Sequence, residues 1–481
     1  MTRFVLPIKS AFIVVLLVIN IGTLGGQDIK TSLQKSIDSR VNEYTDIAHQ
    51  IWEFAEMGYL ETESSGLLQR TAREGGFKIE SGVAGIPTAF VASYGSGKPV
   101  VGIMGEFDAL PGLSQKATWE RDPRIEGAAG HACGHHLFGT ASLAAAIAIK
   151  EQLKSGNLNG TIRFYGTPAE EGGSGKVYMG RAGLYDDVDV MLHWHPGSIN
   201  NASPSSSNAN KSAKFRFYGV AAHAAAAPHK GKSALDGVEA MNYMVNLMRE
   251  HVPETTRIHY IITQGGEAPN IVPEFAEVYY YIRHPDYKVV RQLFERLVLT
   301  AEGAATGTGT KMDYEVIHGN YDVLPNETLA NAMHDNLLAV GGVHYSKEET
   351  AFAEEVYKTL VQPGQTIGAE KEIAEYKLTA TRGSTDVGDV SWLVPTAGLR
   401  TATWVPGTSA HTWQAVAAGG TSIGHKGMIN AAKTLAMTAA DLYQNPELIK
   451  AARNEWNNKR GSDFDYYPLL GDRDPPLDYR K

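Results

Sequence analysis

Short apolar runs separated by polar loops dominate the first half of the chain. The runs Phe90–Tyr94 and Val100–Met104 are each followed by glycine, and Thr161–Gly166 and Val188–Leu192 each lead into a polar loop. Runs of this length, bounded by glycine or turn residues, predict β-strands. The alanine-rich segment Leu137–Leu153 predicts a helix among them. The repeated order of strand, loop and helix indicates an α/β sheet, and we expect its functional site at the strand ends.

A second pattern begins after the Ser- and Asn-rich segment Asn200–Lys211, which is typical of a linker. Beyond it, strands and helices follow one another as a compact α+β unit. The predicted elements are a strand from Ala213, helix Ser233–His251, strands Ile258–Thr263 and Phe275–Arg283, helix Val289–Ala305 and strand Lys311–Ile317. We therefore predict an α+β domain inserted into the α/β domain.

Further helical segments are predicted near the two ends of the chain. Apolar residues three and four positions apart predict a helix over Ile29–Met57, and a closing helix is predicted over Lys426–Tyr443. Trp392–Val405 is apolar and strand-like. The segment beyond Asn445 is rich in prolines and charges, so we expect it to be loosely held. The predicted boundaries are 27–208 and 321–450 for the α/β domain, 209–320 for the inserted domain and 451–481 for a C-terminal tail.

Composition narrows the classes of partner. The chain of 481 residues carries a formal net charge of -9 and has no basic block, which argues against a nucleic-acid partner. The acidic excess favours solubility rather than a specific function. A hydrophobic content of 43% is ordinary for a globular protein and is sufficient for a large core with a deep pocket.

The first residues differ in kind from the rest. Arg3 and Lys9 precede the apolar run Ala11–Ile21, which ends in the small residues of Gly22–Gln27. This order predicts a secretory signal peptide over residues 1–26, and hence an exported, periplasmic or secreted protein. An uncleaved N-terminal anchor is the alternative, although the run is shorter than the ~20 apolar residues of a membrane span. No other stretch is apolar and long enough to span a bilayer.

Cys133 is the only cysteine of the chain, so it cannot form an intramolecular disulfide. It lies in Gly130–His136, just before the predicted helix, where the helix dipole favours a thiolate. Three roles are open: a metal ligand, a catalytic nucleophile and an inert buried thiol. Gly134 allows the backbone to turn, so that Cys133 and His135 can reach one metal ion.

Three further segments carry candidate ligands. In the Pro/Gly loop after Tyr165, Glu170 and Glu171 can face different ways, one towards a metal ion and the other towards a proton of bound water. The alternative there is a solvated acidic loop. His193 and His195 alternate along a strand and share a face, and we expect only one of them to be a ligand. His411 lies in a Gly/Ser loop far along the chain.

The inserted unit adds three candidates. His223 stands in an alanine-rich stretch, where a hinge or surface histidine is the alternative. Asn270 lies between two prolines. Arg283 ends a strand of tyrosines, where it can clamp a substrate carboxylate or form a structural ion pair. Taken together, one Cys, three or four His and two Glu are the inventory of a binuclear hydrolytic site, with N, O and S ligands and a free carboxylate as base.

These motifs, in this order, resemble the M20 metallopeptidase/amidohydrolase family, and within it the subgroup whose metal ligand is a cysteine. The resemblance spans nearly the whole chain after residue 26. The matching stretches are Gly105–Gln115, Gly130–His135, Thr167–Gly173, Trp194–Pro196, Ala221–Ala224, Pro269–Pro273, Ser384–Trp392, Ala410–Gln414 and Thr421–Met428.

The resemblance implies a mixed-sheet catalytic domain with an inserted α+β lid/dimerisation domain. It implies that Glu170 is the general base on a bridging water and that His223 steadies the oxyanion, reaching the partner's site in a dimer. Asn270 and Arg283 would bind the tetrahedral intermediate and the substrate carboxylate. Two divalent metal ions, Zn or Mn, would be held by Cys133, His135, Glu171, His195 and His411.

The implied reaction is hydrolysis of the amide bond of an N-acyl amino acid, an aminobenzoyl-glutamate or a dipeptide-like substrate with a free carboxylate. The implied partner is a second copy of the chain or a paired homologous subunit. Two rival functions make different demands on the residues. An amidase with Cys133 as nucleophile has no need of Glu171, His195 and His411. A non-catalytic metal- or ligand-binding protein has no need of Glu170.

Overall fold

The computed structural model describes residues 21–480, and side chains from residue 28 onwards. Residues 1–20 of the predicted signal peptide lie outside this range. Among the described residues, no helix is long and apolar enough to cross a membrane.

The strands are numbered in chain order. They are β1 Lys78–Ser81, β2 Phe90–Gly95, β3 Val100–Gly105, β4 Thr161–Gly166, β5 Val190–Gly197, β6 Ser205–Ser206, β7 Ala209–Tyr218, β8 Arg257–Gln264, β9 Phe275–His284, β10 Lys311–Asn320, β11 Thr379–Ala380 and β12 Thr396–Ala402.

The α-helices are numbered in the same way. They are α1 Ile21–Asp38, α2 Val41–Phe54, α3 Thr62–Glu74, α4 His135–Lys154, α5 Gly175–Arg181, α6 Ala234–Met248, α7 Tyr287–Thr308, α8 Glu327–Val340, α9 Lys347–Lys358, α10 Val387–Leu393, α11 Trp413–Gly419, α12 Ser422–Gln444 and α13 Pro446–Arg460.

A six-stranded sheet with the order β1-β2-β4-β3-β5-β12 forms the centre of the larger unit. Strands β4, β3, β5 and β12 are parallel neighbours, whereas β2 and β1 are antiparallel. The prediction of a mixed sheet is therefore confirmed. Its parallel part places the carboxyl ends of four strands along one edge, where α/β proteins bind ligands.

Both faces of this sheet are covered, which explains why β3 reads as an uninterrupted apolar run. Val101 and Ile103 belong to the core beneath α4 and α12. Val100 and Met104 belong to the core on the opposite face, with residues of α5 and α10. Alternate residues of β3 thus pack into two different hydrophobic cores.

Glycines allow helix α4 to approach the end of β3. A Cβ atom at Gly105 would lie 3.0 Å from the Cα of Gly139, and one at Gly139 would lie 2.8 Å from the carbonyl oxygen of Glu106. Any side chain at either position would push the helix away from the sheet. Because His135 lies one turn before Gly139 on the same helix, this close approach places His135 over the strand end.

A second sheet, antiparallel and four-stranded, has the order β10-β7-β9-β8. All of its strands lie between Ala209 and Asn320. Helices α6 and α7 cover one face, and Phe215, Tyr280 and Phe294 pack between them and the sheet. Strand β8 is an edge of this sheet, and its side chains are largely exposed.

Two predicted elements are wrong in extent. The helix predicted over Ile29–Met57 is two helices, because α1 ends at Asp38, where the Ser39 hydroxyl donates back to the carbonyl of Ser36, and α2 begins at Val41. The apolar segment Trp392–Val405 is not one strand: its first residues end α10, and β12 begins at Thr396. Pro395 separates them, since proline disfavours a helical residue before it and lacks an N–H.

The prediction of a loosely held C-terminal tail is also wrong. Helix α13 spans the predicted boundary at residues 450/451, and Asn445 caps its start, where the Asn445 side chain accepts from the Leu448 N–H. Trp456 of this helix is 4% exposed, and Leu469 and Leu470 beyond it are 1% and 2% exposed. Each of these three residues is inserted into a hydrophobic core.

Candidate active site

The candidate ligands lie along the edge formed by the carboxyl ends of the parallel strands. Glu106 and Asp108 follow β3, and the pair Glu170 and Glu171 lies in the loop between β4 and α5. His195 lies near the end of β5. Cys133 and His135 stand at the start of α4, and His411 lies in the loop after β12. Residues far apart in the chain meet because parallel strands deliver their ends to one edge.

Two groups of possible metal ligands share one thiol. Cys133, His135 and His195 form the first group, and Cys133, Glu171 and His411 form the second. In each group the ligand atoms lie within 4.8 Å of one another. A sulfur shared between two three-residue groups is an arrangement that can hold two adjacent metal ions. The donor set of thiolate, imidazole and carboxylate suits zinc and related divalent metals.

Individual contacts define this arrangement. The Sγ atom of Cys133 lies 3.4 Å from Nε2 of His195. Nε2 of His411 lies 3.1 Å from Oε1 of Glu171. The backbone N–H of His411 donates to the carbonyl of Ala132 over 2.9 Å. This hydrogen bond holds the loop that contains His411 against the segment that contains Cys133. His411 has a φ of 63°, a conformation that this tight loop imposes.

Asp108 orients both groups. Nδ1 of His135 donates to Oδ1 of Asp108 over 2.8 Å, and the Glu171 N–H donates to Oδ2 over 2.9 Å. The first bond engages Nδ1 and leaves Nε2 of His135 as the ring nitrogen that can bind a metal ion, as in other carboxylate–histidine–metal arrangements. Although burial opposes ionisation, His135 and the Glu171 N–H lower the pKa of Asp108 below its usual value, so Asp108 remains a carboxylate.

A buried ion cluster supports the same edge. Nζ of Lys176 lies 2.7 Å from Oε1 of Glu106 and 2.7 Å from Oδ1 of Asp386, and all three side chains are buried. The other oxygen of Glu106 lies 3.0 Å from Nε2 of His135. Glu106, His135 and Glu170 form a third group of possible ligands. Because Lys176 already neutralises Glu106, this group is the weakest cation site of the three.

The loop that carries Glu170 and Glu171 is held from the N-terminal part of the chain. The carboxylate of Glu61 accepts from the Ala169 N–H over 2.8 Å, and the hydroxyl of Tyr59 donates to the carbonyl of Gly173 over 2.6 Å. These two bonds fix the loop on both sides of its paired carboxylates.

The C-terminal segment holds the same loop at its centre. The hydroxyl of Tyr479 and the guanidinium of Arg480 donate to the carbonyl of Glu171 over 3.1 and 2.7 Å. Residues from the N-terminal part and from the C-terminal segment thus meet at the loop, and both sets restrict the backbone that positions Glu171 as a ligand.

The site shifts the pKa of its acids and bases. Burial raises the pKa of Glu170 well above its usual value, and the nearby charges of Glu106 and Glu171 raise it further. Burial, with the charge of Glu171, raises the pKa of the Cys133 thiol. The thiolate expected from the position beside α4 is therefore not favoured by the protein alone, because burial dominates. A bound divalent cation reverses this balance, because a coordinating thiol is deprotonated.

Three neighbouring histidines lie outside the ligand groups. Nε2 of His131 lies 2.9 Å from the carbonyl of Ile51, and Nε2 of His136 lies 3.1 Å from that of Gly419. Burial lowers the pKa of His131 to about 3, which keeps it neutral. The ring of His193 fills the space above a glycine of β12, where a Cβ would lie 2.2 Å from Nε2. Of the two alternating histidines, the structure places only His195 among the possible ligands.

The structure does not bring the three candidates of the inserted unit to this cluster. His223 and Asn270 are neighbours in exposed loops, where the Ala224 N–H donates to the Asn270 carbonyl over 3.0 Å. Arg283 stacks over Tyr281 and lies 3.5 Å from the hydroxyl of Ser384. Within residues 28–480, none of the three side chains contacts a candidate metal ligand through a hydrogen bond or ion pair.

The roles of several residues were not predicted from the sequence. Glu106, Asp108 and Asp386 lie within motifs that were recognised, and the polar residues after β3 were a usable signal. The sequence around Lys176 and Arg480 gives no such signal, because nothing in it distinguishes these residues from surface cations.

Fold and site together define a hydrolase of the metallopeptidase/amidohydrolase class. Residues 102–375 match the model of Peptidase family M20/M25/M40, so the chain belongs to that family and the predicted resemblance is confirmed. The family also makes the chain an enzyme of the amidohydrolase/peptidase type.

Particular relatives are similar over nearly the whole chain. The B-type subunit of the p-aminobenzoyl-glutamate hydrolase of Escherichia coli (strain K12) is 41% identical over 456 residues, which cover 89% of this chain and 95% of the relative. The Xaa-Arg dipeptidase of Mus musculus is 31% identical over 90% of this chain and 93% of the relative.

Solved structures show the same fold. An aminobenzoyl-glutamate utilization protein from Klebsiella pneumoniae superposes with a TM-score of 0.59 at 18% identity, covering 85% of this chain and 98% of that protein. A dinuclear metal binding peptidase of the M20 family from Bacillus subtilis superposes with a TM-score of 0.57 at 16% identity, covering 84% of this chain and 99% of that protein.

Proposed function

We propose that this protein is a binuclear metal-dependent hydrolase that cleaves the amide bond of an N-acyl amino acid, an aminobenzoyl-glutamate or a dipeptide-like substrate. One observation carries the proposal: Cys133 belongs to two ligand groups at once, with His135 and His195 on one side and Glu171 and His411 on the other. The dinuclear metal content of the similar Bacillus subtilis peptidase supports two ions rather than one. Zinc or manganese are the metals we expect.

Divalent metals bound by these residues supply Lewis acidity and lower the pKa of a bound water towards ~7. In this proposal Glu170 acts as the base. It adjoins the ligand Glu171 in sequence and lies with Glu106 and His135 in one group of possible ligands. Its carboxylate accepts the proton of the attacking water and later delivers that proton to the leaving amine. A pKa raised by burial suits this role, because the group holds the proton between the two steps.

The relatives and the residues of the inserted unit support the proposed substrate class. The names of the relatives cited above refer to a glutamate and to an arginine. Either amino acid at the end of a substrate carries a free carboxylate. We propose that Arg283 and Asn270 bind that carboxylate and that His223 stabilises the oxyanion. Since these side chains lie away from the ligands within one chain, they act after closure of the unit 209–320 or from a second subunit.

Two further expectations belong to this proposal. The relatives include proteins named as two different subunits of one hydrolase, which supports a paired homologous subunit, and a homodimer is the alternative assembly. The apolar segment before residue 27 supports export to the periplasm or the medium.

The test is purification with metal analysis, followed by turnover assays. N-acyl amino acids, p-aminobenzoyl-glutamate and dipeptides are offered, and release of the amine is measured before chelation, after chelation and after metal is restored. We expect about two metal ions per chain, loss of turnover on chelation and recovery with zinc or manganese. Turnover that survives chelation but stops on thiol alkylation identifies a cysteine nucleophile instead. Metal binding without turnover of any amide identifies a non-catalytic metal protein.

A further inference from the structure

Arg400 lies one strand away from the candidate metal ligands. It is on β12, the edge strand of the catalytic sheet, and it pairs in the parallel register with His195 of β5. Paired residues of neighbouring strands project to the same face of a sheet. Nε2 of His195 in turn lies 3.4 Å from the Cys133 thiol. Arg400 is therefore a neighbour of the first ligand group.

The side chain of Arg400 runs towards the edge of the sheet that holds the site. A Cβ atom built at Gly197, the last residue of β5, would lie 3.7 Å from the Cβ of Arg400 and 3.8 Å from its Cδ. Gly197 pairs with Ala402, two residues beyond Arg400 along β12. The aliphatic stem of Arg400 thus follows the strands towards their carboxyl ends, with Gly197 leaving the space open.

Within residues 28–480 the guanidinium of Arg400 makes no hydrogen bond, ion pair or ring contact, and the residue is exposed. Two other arginines, by contrast, form ion pairs: Arg163 binds Asp187, and Arg216 binds Glu277 and Glu315. An arginine remains protonated in proteins, so Arg400 places an uncompensated positive charge beside the ligands.

We propose that Arg400 binds a second carboxylate of the substrate and thereby selects acidic substrates over neutral and cationic ones. The inference rests on the proposed amide hydrolysis and names the substrate class of that site. A guanidinium offers paired N–H donors to a carboxylate and binds it in a bidentate manner. A cationic side chain at the same place is repelled. The site therefore favours a glutamate-like arm and disfavours an arginine-like one.

The experiment compares substrates that differ in one charged group. Benzoyl-glutamate, benzoyl-glutamine and benzoyl-arginine probe the released amino acid, while succinyl-leucine and pentanoyl-leucine probe the acyl group. We expect wild-type kcat/KM to favour the acidic member of one series by roughly 10- to 100-fold, the effect of one charge-assisted hydrogen bond. The series that shows the preference identifies the part of the substrate that carries the carboxylate.

Variants at position 400 assign that preference to Arg400. Arg400→Gln should abolish the preference and leave kcat/KM for the neutral substrate within about twofold, and Arg400→Glu should reverse the charge preference. Arg70→Gln, at an exposed arginine on α3, is the matched control and should change nothing. Metal content is measured for each variant. An equal loss on acidic and neutral substrates, or an unchanged preference in Arg400→Gln, would overturn the inference.

A binding measurement separates this inference from the proposed function. Calorimetric titration of the metal-loaded protein with glutamate and with glutamine requires no turnover. Tighter binding of glutamate that is lost in Arg400→Gln supports the carboxylate subsite even if no amide is hydrolysed. Equal binding of glutamate by both proteins rejects the subsite, and the amide assays then still decide the reaction.

Discussion

The carboxylate of Asp108 lies 2.8 Å from Nδ1 of His135 and accepts its hydrogen bond. Its other oxygen accepts the backbone N–H of Glu171 over 2.9 Å. Because His135 and Glu171 belong to different ligand groups, one carboxylate sets the geometry of both. The two proposed metal positions are thus coupled through a residue that belongs to neither of these groups.

Replacement of Asp108 tests this coupling. We expect Asp108→Asn to weaken metal binding by about 10–100-fold, the usual effect of removing a residue that orients a ligand histidine. The measurement is competitive metal titration against a chelator, and both ions should be affected. Asp122→Asn, which changes a half-exposed aspartate whose carboxylate pairs with Lys116, is the control. Loss of a single metal ion would show that the two positions are independent.

Glu170 is expected to act on protons and not to hold the metal. Glu170→Gln should lower kcat by about 10²–10⁴-fold, the range of general acid–base catalysis, with metal content unchanged. Steady-state kinetics and metal analysis on the same sample decide the point. Glu354→Gln, at an exposed position of α9, should retain full activity. If Glu170→Gln loses metal in proportion to activity, Glu170 is a ligand instead.

The shared thiol predicts a defect at both metal positions. Cys133→Ser replaces a soft sulfur ligand by a weaker hydroxyl oxygen. Metal affinity should fall by more than the roughly 10–100-fold that accompanies loss of an orienting residue. Added zinc should then restore part of the activity. A nucleophile replaced by serine would instead lose activity at every metal concentration while it keeps its metal, and this comparison separates the two roles.

The buried Lys176 is expected to stabilise the fold. Lys176→Met leaves Glu106 and Asp386 buried without their cation, a change that costs about 3–5 kcal/mol of unfolding free energy. Urea denaturation followed by fluorescence measures the loss. The second change Asp386→Asn should recover part of it, because one of the two unpaired charges is then absent. Lys358→Met, on the surface, should stay within about 0.5 kcal/mol of the parent.

The C-terminal segment is expected to position the Glu171 loop. The double variant Tyr479→Phe/Arg480→Ala removes both side-chain donors to the Glu171 carbonyl. We expect metal affinity and kcat/KM to fall by up to roughly 30-fold, since two net hydrogen bonds together contribute about 2 kcal/mol. Asp478→Ala, at an exposed residue of the same segment, is the control. An unchanged metal affinity would show that Asp108, Glu61 and Tyr59 are sufficient to hold the loop.

Much of the site could be predicted from sequence, for a reason that lies in α/β architecture. Polar residues that follow buried strands converge at one edge of a parallel sheet, so Glu170 and His195 could be chosen as neighbours although they are distant in the chain. The distribution of ligands between two metal positions could not be predicted. It depends on which strands are adjacent, and β12 lies beside β5 although some 200 residues separate them in the chain.

The order of apolar runs and turn residues by itself determined the class of fold, because burial of alternating strands and helices leaves few other solutions. It also determined the chemical inventory of the site, since the residue types limit which ions and protons can be handled. The tertiary structure alone decided the roles of Lys176, Arg400 and Arg480. From sequence alone, a lysine or arginine is expected to be a surface cation. Only its surroundings in the fold decide whether it neutralises buried carboxylates, is available to bind a substrate or holds a loop.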